Sequence, residues 1–472
     1  MPHPMKRILR TLLILTSAVA VIMLGYVLLF FPPVMAGMDA KIMCSCVFLT
    51  GRTPESVMEK ELQVFPGLTS AGFDVNYQDS TVAATVLWKT SKAIYRKGFG
   101  CTLLAEQTET EVRSQRMIRP VHQKKADSIP WPSGDLVSGN LLPRIDHALL
   151  EQHIDNAFGS PDPEKPLNTH AVLVLYDGNL VAERYAEGFD HHTPMMGWSM
   201  TKSIINALVG ILVKEGKLEL HKPAPVAEWA NDERNGITLN HLLQASSGLE
   251  WQESYFVPTS DFHKMFTRSD DKGGYAASRK LEYEPGIYFE YSSGTTNILS
   301  RMIRQVTGDS AYHRFPYEKL FHRIGMLNTT LEPDASGTFV GSSYGFASAR
   351  DWARFGLLYL NDGVWEGERI LPEGWVSYST TPAPAAPLQE YGAHIWLNAG
   401  KKDDANSVKY PGLPKDAFVF DGFEENSVTI IPSRKAVIVR LGVTHHGNFD
   451  HAGLVQGVLS ALPISDSVAL SK

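Results

Sequence analysis

The polar and apolar positions divide the chain into segments of different period. The first strong signal is Thr11–Phe31, "TLLILTSAVAVIMLGYVLLFF", which is uncharged and almost wholly apolar. A membrane-spanning helix needs roughly 20 such residues, whereas a cleaved signal peptide usually carries only ~7–15. Lys6, Arg7 and Arg10 precede the run, and basic flanks stay on the cytoplasmic side. The pattern predicts a cytoplasmic stub and transmembrane anchor over residues 1–37, with everything after Pro32 on the outer, periplasmic or extracellular side. "Val34-Met35-Ala36" also resembles a small-residue cleavage site, so removal of the segment is the competing expectation.

Residues 38–165 form an N-terminal extension in which no chemistry is legible. "STVAATVLWKTSKAIYRKGFGCTLL" reads as short strands and "RPVHQKKADSIPWPSGD" as a polar connector. "LLPRIDHALLEQHIDNAF" puts Leu142, Ile145, Leu149 and Ile154 on one side of a helix. The main domain is expected over residues 166–466. It opens with two apolar runs around Asp177-Gly178-Asn179, a hairpin signal. Helical patterns and Gly- or Pro-bearing loops fill the middle. "YGAHIWLN", "DAFVFDGF", "NSVTIIPS" and "KAVIVRLGV" then read as strands, and "AGLVQGVLSAL" as a closing helix. Strands at both ends with helices between predict an α+β fold. This is an α/β sandwich with an antiparallel sheet flanked by helices and an inserted helical subdomain.

A formal net charge of −7 argues against a nucleic-acid partner, which calls for a basic face. Cys44, Cys46 and Cys101 are the only cysteines. Export permits a disulfide between one of the first two and Cys101, leaving an odd thiol; three inert reduced cysteines are the alternative. No cofactor or metal is expected. The three cysteines lack a nearby histidine to complete a zinc set, and His445, His446 and His451 have no matching ligand elsewhere.

The candidate chemistry lies in "GWSMTKSIINALVGILV". Ser199 and Lys202 are three apart, just ahead of a helical stripe formed by Ile204, Ile205, Leu208, Ile211 and Leu212. Residues so spaced share a helix face. A serine hydroxyl needs a base to become a nucleophile, and burial makes a lysine a better one by lowering its pKa. The bland alternative is Ser199 as a helix cap with a solvated Lys202. A second Ser-x-x-Lys, Ser269–Lys272, falls in a charged, glycine-bearing loop and carries no such context. Tyr291-Ser292-Ser293 precedes another helical pattern. A phenol beside an ammonium can be held as phenolate and serve as base or proton shuttle. Gly422 falls at a late strand edge, where backbone N–H groups can approach a substrate carbonyl.

In this order and context the stretches resemble the serine β-lactamase and penicillin-binding-protein superfamily. The similarity is to its class C-like, esterase-type branch, which includes the 6-aminohexanoate-dimer hydrolases. "LVAERYAEGF", "ITLNHLLQASSGLEW", "FEYSSGTTNILSRMI", "YGFASARDWARFGLLYLNDG" and "VTIIPSRKAVIVRLG" extend the likeness over residues 165–465. The resemblance implies a β-lactamase-like fold, Ser199 as acylated nucleophile, and Lys202 as proton acceptor or activator of Tyr291. Tyr291 would relay the proton to the leaving group. The backbone N–H groups of Ser199 and Phe423 would form the oxyanion hole, and Ser293 and Gly422 would contact substrate. At the third motif the chain reads Phe420-Asp421-Gly422, so the family's lysine is missing and β-lactam hydrolysis is in doubt. His445-His446-Gly447 fits that motif formally but follows the last long strand. Asp421, Glu424 and Glu425 read either as a solvated strand turn or as an acidic rim suited to a substrate ammonium. The expectation is a membrane-anchored serine hydrolase acting on small esters or amides, including amide-linked amino-acid oligomers. A non-catalytic sensor of cell-wall peptides and a D-amino-acid peptidase are the alternatives.

Overall fold

The structure is a computed structural model. It describes all residues except 1–2, 64–70, 123–125, 138–141, 161, 163, 402–403, 405–406, 446 and 464–472. Its centre is a six-stranded antiparallel sheet. In spatial order the strands are Trp396–Leu397, Phe418–Gly422, Asn426–Ile431, Ala436–Gly442, Thr169–Tyr176 and Asn179–Tyr185. Asp177 and Gly178 make the hairpin turn with φ of 48° and 78°, the positive values a two-residue turn of this hand requires.

Both faces of the sheet are covered, so the strands Asn426–Ile431 and Ala436–Gly442 are buried along their whole length rather than on one face alone. Val172, Val174 and Ile438 pack against Leu150 and Ile154 of helix His147–Phe158 and Val455 and Val458 of helix His451–Ala461. Ala171, Leu173, Val437 and Val439 point the other way, into the main core with helices Thr201–Lys214 and Ala349–Leu360. In helix His147–Phe158 the buried side chains are Leu150, Ile154 and Ala157. Leu149, expected on the core side, is only partly buried.

The N-terminus departs from a simple anchor. One helix, His3–Phe48, runs through Pro32 and Pro33. Its first half is exposed and apolar, whereas Val34–Val47 is almost entirely buried. The boundary expected at residue 37 therefore falls inside a continuous helix. A Cβ on Gly37 would stand 3.0 Å from Thr267 Cβ, so the helix packs closely on Asp261–Arg268. A four-stranded antiparallel sheet, Gly72–Asn76, Thr81–Val86, Lys89–Arg96 and Gly100–Leu104, packs against the same buried half.

Two links fasten this extension. Cys44 and Cys101 form a disulfide and Cys46 is a buried free thiol. Lys41 pairs with Glu332, which also accepts a 3.0 Å bond from Ser45 Oγ. The disulfide closes a loop with a sequence separation of 57, for which chain entropy gives about 4 kcal/mol. Cys44→Ala with Cys101→Ala is expected to lower Tm by roughly 5–10 °C in a thermal melt. An unchanged Tm would show that the pair does not fasten the extension.

Candidate active site

The turn carrying Ser199 is strained and tightly held. Trp198, the first residue of a 3-10 turn (Trp198–Met200), has φ of 47°, a left-handed value that a bulky residue rarely adopts. Several bonds hold it there. Gly197 N–H donates to the Gly345 carbonyl at 2.8 Å, and Thr201 Oγ1 donates to the Trp198 carbonyl at 2.7 Å. Trp198 Nε1 donates to Glu424 at 3.1 Å. A side chain on Gly197 would run into Trp352 at 2.3 Å, so glycine is required before the turn. Helix Thr201–Lys214 follows at once and places Lys202 in its first turn.

Lys202 is buried, with Nζ 3.0 Å from Ser199 Oγ and 3.3 Å from Ser293 Oγ. It also donates to the Ser342 carbonyl at 3.0 Å. Burial lowers its pKa to about 8, opposed by the nearby Glu253 carboxylate. Ser199 is only half-buried and thus reachable from outside. The solvated-lysine alternative does not describe this geometry. The other pair, Ser269–Lys272, differs: Lys272 Nζ donates to the Ser269 carbonyl rather than meeting its hydroxyl.

Tyr291 reaches the cluster from the segment before helix Ser293–Thr307 and hydrogen-bonds Ser199. Its ring stands 5.4 Å from Trp396 and 5.9 Å from Tyr391, and Lys202 Nζ lies 4.8 Å from its centre. Burial, then Tyr391 and Tyr255, push the phenol well above its ordinary value. The expected phenolate is therefore corrected to a neutral phenol: the lysine faces the ring, and aromatic neighbours offer the oxygen no stabilising charge.

Sequence reasoning missed three residues. Glu253, in the loop after "SSGLEW", accepts from Ser293 Oγ at 2.6 Å, Ser293 N–H at 2.9 Å and Trp251 Nε1 at 2.6 Å. His394 lies buried beneath the helix start, with Nδ1 3.2 Å from the Lys202 carbonyl and Nε2 3.2 Å from Thr296 Oγ1. Burial and then Lys202 drive its pKa down to about 3, so the imidazole stays neutral. Lys409 Nζ sits 3.8 Å from the Trp396 ring centre and 3.7 Å from Asp421. No periodicity or motif marks any of the three, because each arrives from a loop distant in sequence.

A family model described as Beta-lactamase matches residues 162–462. The chain belongs to the beta-lactamase family. The 6-aminohexanoate-dimer hydrolase of Paenarthrobacter ureafaciens is 28% identical over 334 residues, 63% of this chain and 80% of that protein. A family VIII carboxylesterase of known structure superposes with a TM-score of 0.53 at 16% identity, covering 69% of this chain and 99% of the other. EstCE1, a hydrolase with promiscuous acyltransferase activity, gives 0.53 at 15% identity, covering 67% and 98%. At such identities the two structures speak for the fold alone. They agree with the antiparallel sheet and flanking helices described above.

Phe420-Asp421-Gly422, the stretch expected at the third motif, ends strand Phe418–Gly422. A Cβ on Gly422 would come within 2.3 Å of the Gly197 carbonyl, so the strand end abuts the Ser199 turn. The Phe423 ring packs 5.6 Å from Trp198 and 5.2 Å from Tyr255. The acidic-rim expectation fails at Glu424. Glu424, with φ of 65°, turns inward to a cavity behind Trp198, lined also by Cys46, Arg52, Glu61 and His170. Burial raises its carboxyl well above the usual range. Asp421 accepts from Tyr410 at 2.9 Å, and Glu425 accepts from Gly447 N–H at 2.7 Å. Both stay partly exposed, so Glu424 alone leaves the rim. His451 begins a helix, partly buried between Ser427 and Thr429 at 3.3 and 3.1 Å. His446 lies outside the described residues.

Proposed function

We propose that the chain is a membrane-anchored serine hydrolase that cleaves small esters or amides through an acyl-enzyme. The observation that carries this reading is the buried Lys202 amine, 3.0 Å from Ser199 Oγ and with its pKa lowered to about 8. Ser199 Oγ attacks the acyl carbon as its proton passes to Lys202. The backbone N–H groups of Ser199 and Phe423 receive the oxyanion. The C–O or C–N bond then breaks, and the leaving group takes its proton through the neutral Tyr291. Water attacks the new ester, releases the acid and restores Ser199. Ser293 and Gly422 line the substrate side. The name of the 28% identical relative adds amide-linked aminohexanoate dimers to the substrates worth testing.

The anchor reading draws on the exposed apolar half of the N-terminal helix and the basic residues near its start. The Cys44–Cys101 disulfide fits a domain outside the cytoplasm.

The test is turnover of p-nitrophenyl esters, an aminohexanoate dimer and a chromogenic β-lactam by the full chain and by Ser199→Ala. Ester or amide turnover that depends on Ser199 is expected; none in the folded protein would sink the proposal. Glu253 supplies a finer check. Its charge raises the proton affinity of Lys202, so Glu253→Gln should move the lower limb of the kcat/KM pH profile to lower pH. A drop in rate with no shift of that limb would assign Glu253 to packing alone.

A further inference from the structure

One loop joins the active site to the N-terminal helix. Trp251–Ser260 contributes Glu253, which holds Ser293, and Tyr255, whose ring faces Phe423. The same loop then exposes Phe256, 79% accessible. Three residues later Thr259 Oγ1 meets the Tyr26 hydroxyl at 2.9 Å. Tyr26 stands where the N-terminal helix leaves the folded domain, between the exposed apolar residues Leu24 and Leu29. The helix that follows the loop ends at Arg268, whose guanidinium lies 5.8 Å from the Phe30 ring.

These contacts set the depth of the loop. From Arg10 to Phe30 an α-helix rises about 30 Å, the thickness of a bilayer's hydrocarbon core. With Arg10 at one interface, Phe30 and the guanidinium beside it lie at the other. Tyr26, and so Thr259, sits about one helical turn deeper. An isolated exposed phenylalanine needs no explanation. One held at this level by a neighbouring contact to the spanning helix does.

Resting on the anchored-hydrolase reading above, we infer that Trp251–Ser260 is a lip of the active site seated in the outer face of the bilayer. Substrates reach Ser199 from that leaflet. They are amphiphiles whose ester or amide lies at headgroup level and whose apolar tail stays in the membrane. The chain of contacts from Phe256 back through Glu253, Ser293 and Lys202 to Ser199 keeps the mouth and the membrane surface together.

The test uses the full chain in phosphatidylethanolamine–phosphatidylglycerol vesicles. Phe256→Cys, labelled with bimane, is read with and without acyl chains brominated at mid-chain. The second reading compares the wild type with Phe256→Asp on a vesicle-borne long-chain p-nitrophenyl ester and on water-soluble p-nitrophenyl acetate. Bimane quenching by the brominated lipid is expected. So is a loss of roughly ten- to hundredfold on the vesicle-borne ester alone, the size expected when an aromatic ring no longer buries in lipid. Protein that floats with the vesicles and hydrolyses acetate, but shows no quenching, would overturn the inference and leave the anchored hydrolase standing. Quenching with an equal effect on both esters would overturn the substrate class. Protein that fails to float would remove the anchor and the inference together.

Discussion

Ser199→Ala is expected to abolish labelling by a fluorophosphonate probe and to lower ester turnover by roughly 10⁴-fold or more, the scale seen when an acyl-transfer nucleophile is removed. The substitution deletes one oxygen from a half-buried side chain. The features that build the turn are elsewhere: Gly197 against Trp352, Thr201 on the Trp198 carbonyl, and Trp198 on Glu424. The variant should therefore fold with an unchanged melting transition, and lost turnover can be assigned to the missing nucleophile. The second measurement matters as much as the first. If alanine at 199 left probe labelling intact, another hydroxyl would be the nucleophile, and Ser293, 3.3 Å from the same amine, would be the next to test. If turnover survived with labelling lost, the acyl-enzyme route itself would be wrong.

What could be read before folding was what lies close in sequence. Ser199 and Lys202 share one helical turn, so their spacing and the stripe that follows already placed the amine beside the hydroxyl. The Asp177–Gly178 turn and the late strands were legible for the same reason, since turn chemistry and alternation are local. The misreadings share a cause too. Glu424 looked like part of a rim because carboxylates are usually exposed, yet a φ of 65° turns it beneath Trp198. Glu253 gave no signal because its partner Ser293 is 40 residues away. The N-terminal helix read as an anchor that ends where the domain begins. Its lower half instead enters the core, where Lys41 meets Glu332 across 291 residues of chain.

Lys202→Met should uncouple activity from stability. In the wild type the amine works as a base only when neutral, so with a pKa of about 8 roughly a tenth is competent at pH 7. The kcat/KM is expected to climb about tenfold per pH unit toward 8 and then level off. Methionine removes this limb and most of the rate, by ~10²–10⁴-fold. Stability should move the other way. Burial lowers the folded pKa to about 8 from 10.5, so below pH 8 both states hold the proton and the full cost of the buried charge, about 3 kcal/mol, is present. Between pH 8 and 10.5 the unfolded chain binds the proton more tightly, and stability rises with pH. Methionine keeps the length and drops the charge, but it forfeits the bond to the Ser342 carbonyl, worth about 1 kcal/mol. The variant should be about 1–2 kcal/mol more stable at pH 7, with that advantage vanishing by pH 10, as denaturant melts at the two pH values would show. A variant less stable at both would mean that Lys202 is held for the fold, and its nearness to Ser199 would lose its chemical meaning.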